Sequence, residues 1–178
     1  DSCPFTFHAT HVSSIQNICS ELEILSSLVV SARLKSLANK WKILADVPDL
    51  QFRGWNEIPT LSKRIGTKSG NFKKLEYMIW RDPWMTASSQ TFIGSVLKKI
   101  GLSEYLQASD SKYPTLNPGR TPDPSTFYLF SSEPFPFERY MGDLERLGFN
   151  GGLVDGEFFS WFGSRSYRML SELIKKAR

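Results

Sequence analysis

Apolar residues follow two different periods along this chain, and the change of period divides it. From Ile15 to Leu44 they recur at helical spacing. Ile15, Ile18, Leu22 and Leu25 share one face, and Leu34, Leu37, Ala38, Trp41 and Leu44 share another. Ser13 or Ser14 supplies the N-cap of the first helix, and a second helix is predicted from about Val29 to Leu44. Ahead of them, Phe5–Thr10 alternates as a short strand does. From about Pro48 to Asn71 turn formers and charges dominate, with Thr67-Lys68-Ser69-Gly70-Asn71 the strongest loop signal. That region reads as irregular connection.

Beyond it, short apolar runs alternate with helical stripes. Leu75–Trp80, Phe127–Phe130 and Gly152–Asp155 have strand length. A helix carries Phe92, Ile93, Val96, Leu97 and Ile100 and stops at Gly101, and another spans about Phe137 to Leu147 and stops at Gly148. A last helix opens at Ser164 and buries Tyr167, Leu170 and Ile174. Gln107–Pro124, rich in Ser, Pro, Asp and Asn, is a long loop. The order predicts an α/β fold: a three-layer lobe with a mainly parallel sheet, preceded by long linker helices. The segments are 1–12 (strand), 13–47 (helices), 48–74 (connection) and 75–178 (the α/β lobe).

Parallel sheets bind ligands beyond the carboxyl ends of their strands. Three segments leave those ends: Arg81–Thr86, Ser131–Phe137 and Asp155–Arg165, and each mixes aromatics with carboxylates or arginines. Rings offer contact area at low entropy cost, and polar groups fix orientation, as a large flat ligand requires. The ligand-binding candidates are Trp84, Glu133, Phe135, Asp155, Phe158, Phe159, Trp161 and Arg165. Plainer roles compete with each. Trp84 and Phe137 could cap the core, Glu133 could cap a helix, Asp155 could bond turn amides, and Arg165 could pair with an acid. Of Phe158, Phe159, Trp161 and Phe162, two are expected to point inward and two outward.

Composition narrows the classes. The 178 residues are 40% hydrophobic and 22% charged, enough apolar content for a packed core. The net charge of +4 is scattered along the chain, so no nucleic-acid partner is expected. Cys3, Cys19, His8 and His11 lack metal-site spacing, so no metal ligands are assigned. A Cys3–Cys19 disulfide and reduced thiols both remain open. Glu133 and Asp155 could form an acid–base pair, but no nucleophile elbow, phosphate-cradling loop or metal triad accompanies them. The chain is read as a non-enzyme, with no catalytic residue and no cofactor.

Ile79–Thr86, Ser131–Phe137 and Val154–Glu157 with Ser160–Arg165 together resemble three blocks of the helical-backbone metal receptors. These are the class III periplasmic substrate-binding proteins of ABC importers. That resemblance implies two α/β lobes joined by a long helix, with the ligand held between them. Residues 1–12 would then hold the last strand of an amino-terminal lobe, and 13–47 would include the connecting helix. The implied ligand is a metal chelate (cobalamin, a ferric siderophore or haem), handed to a permease in the inner membrane. The implied location is periplasmic or otherwise extracytoplasmic, with or without a membrane anchor. Trp84 and the Asp155–Trp161 turn with Arg165 would line the site, joined by Tyr113 beside Pro114. The family docks on its permease through a surface glutamate, which the matching stretch Tyr113–Arg120 lacks. A one-lobed protein-interaction module, using the aromatic rim as its partner surface, is the alternative.

Overall fold

In the computed structural model residues 8–67, 70–117 and 119–177 are described. Two helices come first, α1 (Ile15–Leu28) and α2 (Ala32–Asp46). Ser14 caps α1 by accepting from the Asn17 amide at 3.1 Å. The second helix starts three residues later than its apolar stripe suggests. Val30 takes a left-handed φ of 48°, which ends helical geometry, and Ser31 then caps α2 by accepting from the Leu34 amide. The helices fold back on each other, burying Ile15 and Ile18 from one and Ala38, Trp41 and Leu44 from the other. The expected strand Phe5–Thr10 falls largely outside the described residues, as does Cys3; His8–Thr10 are not strand.

The sheet has five strands in the order β1-β5-β4-β2-β3. These are β1 (Ser62–Ile65), β2 (Lys74–Arg81), β3 (Trp84–Ala87), β4 (Thr126–Ser131) and β5 (Gly151–Val154). The central three, β2, β4 and β5, are parallel, and both edges are antiparallel. The parallel part is as expected. The edge strands depart from expectation, because neither shows a clean period. β1 reads Ser-Lys-Arg-Ile and pairs with β5 through a shifted register. β3 lies in the stretch read as a strand-end segment, and it doubles back on β2, setting Trp84 opposite Arg81.

Four helices complete the layers: α3 (Phe92–Lys99), α4 (Met141–Arg146), α5 (Gly156–Ser160) and α6 (Ser164–Ala177). The helix expected over Phe137–Leu147 begins as a 3-10 turn, Phe137–Tyr140, before becoming α4. Alternation along β4 divides the core. Phe127 and Leu129 join Tyr77 on the face covered by α1, α2, α3, α5 and α6. Tyr128 and Phe130 join Met78 on the face covered by Phe137, Met141, Leu144 and Phe149. The long loop 107–125 is tied down by Arg120, whose guanidinium contacts Glu76 at 3.0 and 3.2 Å and donates to the Tyr128 hydroxyl at 3.0 Å.

Trp41 bolts α2 to the lobe. It is fully buried, with its ring edge-on to Tyr167 at 5.4 Å and Phe92 at 6.5 Å. Trp41→Ala is expected to cost about 3–5 kcal/mol in denaturant unfolding. Ile43→Ala, two residues away at a side chain 69% exposed, is expected to change stability by no more than about 0.5 kcal/mol.

Candidate functional site

The three segments that leave the parallel strands meet at one edge of the sheet. The turns after β4 and β5 are in direct contact. The Ser132 hydroxyl accepts from the Gly156 amide at 3.0 Å, and the Ser132 amide donates to the Val154 carbonyl at 2.9 Å. Behind them, the buried Tyr77 hydroxyl donates to Ser131 Oγ at 3.2 Å, and Ser131 in turn donates to the Glu133 carbonyl. Burial raises the Tyr77 phenol well above its ordinary pKa, so it stays a neutral donor. Nothing larger than glycine fits at 156. An added Cβ would lie 2.5 Å from Ser131 Oγ and 2.6 Å from Glu133 Cγ.

Asp155 organises the third segment. Its carboxylate accepts from the amides of Glu157 (2.9 Å) and Phe158 (3.4 Å), capping the short helix α5. Its other oxygen accepts from Arg165 Nη2 at 2.8 Å, and Arg165 also pairs with Glu157. The Asp155 amide donates to Thr60 Oγ1 at 3.0 Å. Thr60 holds a left-handed φ of 63°, a costly conformation for a β-branched residue, and it places its hydroxyl under this turn.

On the β2 side, Trp80 is 39% exposed and donates its indole N–H to the Asp82 carbonyl at 3.0 Å. Its ring meets Phe135 edge-on at 5.4 Å, and Phe135 stacks on Tyr140 at 5.3 Å. Arg81 lies over the Tyr140 ring at 4.9 Å and the Trp84 ring at 5.8 Å.

The candidates therefore separate by position. Glu133, Phe135, Asp155, Trp161 and Arg165 share the strand-end edge, with Trp161 61% exposed. Three others belong to the core instead. Trp84 packs against Phe137 and Phe149, while Phe158 and Phe159 are fully buried and lie on the Tyr77 face. Two aromatics of that run point in and two, Trp161 and Phe162, point out. Because α5 opens right after the strand, its ring pair Phe158–Phe159 turns under the sheet edge. Tyr113, 47% exposed, sits on the segment Lys112–Leu116, which bonds along β3 through Ser88, Thr86 and Trp84. It flanks the edge without joining the contacts among the three turns. Trp80, Glu157, Ser131 and Ser132 lie inside the segments singled out from the sequence without being named as candidates, and Thr60 lies outside them all. Trp80 hid inside a strand run, and a threonine 95 residues from its partner leaves no local signal.

No protein-family model and no curated protein matches the sequence. Among solved structures, the periplasmic vitamin B12 binding protein BtuF of Vibrio cholerae superposes with a TM-score of 0.51 at 11% identity. A Staphylococcus epidermidis protein described as a possible iron-binding (periplasmic solute-binding) protein gives 0.51 at 15%. The chain shares the fold of these binding proteins. The matches cover 97% and 93% of it, but only 64% and 63% of the two partners, so the chain spans less than two thirds of either.

Two other observations bound the chemistry. Among the described residues no group of three or more His, Cys, Asp and Glu could hold a metal ion, and no helix is long and apolar enough to cross a membrane. A cavity of about 500 Å³ lies elsewhere, between the 47–59 loop and the carboxyl ends of α3 and α6.

The contact at Gly156 gives a prediction with a control. Gly156→Ala should push the two turns apart and cost about 1–3 kcal/mol. Gly142→Ala, in α4 where an added Cβ meets nothing within 4 Å, should stabilise by about 0.5–1 kcal/mol. Thermal denaturation of both variants reads the opposite signs.

Proposed function

We propose that this chain is a lobe, with its linker helices, of a substrate-binding protein that captures a metal chelate and delivers it to an ABC permease. Cobalamin, a ferric siderophore and haem are the candidate ligands, and the protein works in the periplasm or an equivalent extracytoplasmic space. The observation that carries the reading is the convergence of exposed and half-buried aromatics and fixed charges at the carboxyl ends of three parallel strands. Trp80, Phe135, Trp161 and Phe162 offer ring surface, and Glu133, Asp155 and Arg165 offer orientation. The descriptions of both structural neighbours, vitamin B12 binding and possible iron binding, point the same way. Nothing at this edge assembles a nucleophile with a base, which supports a binding role over a catalytic one.

A second lobe ahead of α1 belongs to the same proposal. Ile24, Leu28, Val29 and Val30 are 43–90% exposed along α1 and the turn after it, and a packed neighbour would cover them. The rival reading, a protein-interaction module, is favoured by Trp161, whose ring is the most exposed aromatic of the edge among the described residues.

Titration of the full-length protein with cyanocobalamin, ferrichrome and haem separates the two. A bound chelate at about 100 times its Kd should stabilise by about 2.7 kcal/mol, a Tm rise of about 5–10 °C. Trp161→Ala should weaken that binding about tenfold. A flat thermal and absorbance response to all three chelates would sink the proposal. Loss of a protein association in Trp161→Ala, with chelate binding intact, would favour the interaction module.

A further inference from the structure

We infer that the strand-end turns select their ligand by charge, admitting neutral or cationic chelates and turning away polyanionic ones. This rests on the binding-protein reading above and goes beyond it by naming the class of chelate. Turns 81–84, 131–137 and 155–165 carry four carboxylates, Asp82, Glu133, Asp155 and Glu157, against two guanidiniums, Arg81 and Arg165.

Neither arginine is disposed to receive an anion. Arg165 is already shared between Asp155 and Glu157. Arg81 lies across the rings of Tyr140 and Trp84. Just outside the turns, Lys63 is neutralised by Glu138 at 2.7 Å, which leaves the exposed Arg139 as the nearest cation in sequence without an ion pair among the described residues.

Glu133 adds an independent observation. It is half-buried in the second turn against Gly156, and its Oε1 is sealed from solvent without a hydrogen-bond donor. Among the described residues it has no basic side chain within ion-pair distance. A carboxylate so placed, with no basic partner, repels a nearby anion and attracts a cation. To pair with Arg165, an anionic ligand would have to displace Asp155 or Glu157 and still lie near Glu133. An uncharged, amide-rich or cationic ligand faces neither cost, and the exposed rings of Trp80 and Trp161 contact either kind equally.

Ferric chelates of different charge test this with the full-length protein. The probes are ferrioxamine B (cationic), ferrichrome (neutral) and ferric enterobactin (trianionic), with cyanocobalamin as a neutral corrinoid. The best neutral or cationic probe should bind at least about tenfold tighter than the trianion, a difference of about 1.4 kcal/mol. The gap should shrink in high salt. Glu133→Gln and Glu157→Gln should each narrow it further by improving binding of the trianion. Equal or tighter binding of ferric enterobactin, or a gap that neither substitution alters, overturns the charge selection while leaving the binding-protein reading standing. If no chelate binds at all, the binding-protein reading fails, and the charge selection fails with it.

Discussion

Everything at the strand-end edge depends on the burial of β4. All six of its side chains, Thr126 to Ser131, are shielded from water, and its neighbours on both sides run parallel to it. A strand in that position must have every backbone group paired within the sheet, and it must be covered on both faces. Phe127 and Leu129 require the helices of one layer, and Tyr128 and Phe130 require those of the other. At about 1.5–3 kcal/mol for each large apolar side chain removed from water, those four residues make the three-layer arrangement strongly preferred. The same burial constrains the exit from the strand. The chain leaves the sheet at Ser131, whose hydroxyl meets the buried phenol of Tyr77, and must turn at once beneath the next strand's end.

That turn explains why the third segment folds as it does. Gly156 is needed because the Ser131–Glu133 turn occupies the space a Cβ would take. With glycine there, Asp155 can cap α5 on one side and hold Arg165 on the other. The helix then directs Phe158 and Phe159 inward and releases Trp161 and Phe162 outward. The buried rings support the edge, and the exposed ones face outward. Trp84 belongs to the first group. Its place in β3 opposite Arg81 sets it over Phe137 and Phe149, where it closes the second face of the core.

How much of this was legible depended on whether the signal was local. The central strands, the capped helices α1 and α3 and the stops at Gly101 and Gly148 were readable because a few neighbouring residues decide each of them. Gly101 and Gly148 indeed take left-handed φ values of 89° and 87°. The edge strands were not readable. β1 is polar and irregular in register, and β3 is defined by its pairing with β2 rather than by its own pattern. At the edge, residue types picked out turns that the fold brings together, because the strands they follow are parallel neighbours. Which ring faced outward was set by the exact start of α5, two residues beyond the end of β5, and run composition does not reveal that. Thr60 acts through a partner 95 residues away, so no window on the chain could have exposed it.

The bonding of these turns bears on how the edge can discriminate. Ser132 to Gly156 and Asp155 to Thr60 tie the second and third turns to other elements, Ser131 to Glu133 braces the second from within, and Trp80, Phe135 and Tyr140 form a continuous chain of ring contacts. A surface held in this way loses little conformational entropy when a ligand arrives. It also has little freedom to reshape around one. Discrimination at such an edge must come from what is already fixed in it, namely the shape of the exposed rings and the sign of the charges between them. The unpaired carboxylate oxygen of Glu133 is therefore more than an accident of packing. With no basic side chain within ion-pair distance among the described residues, its carboxylate belongs to the charge that is already fixed at the edge.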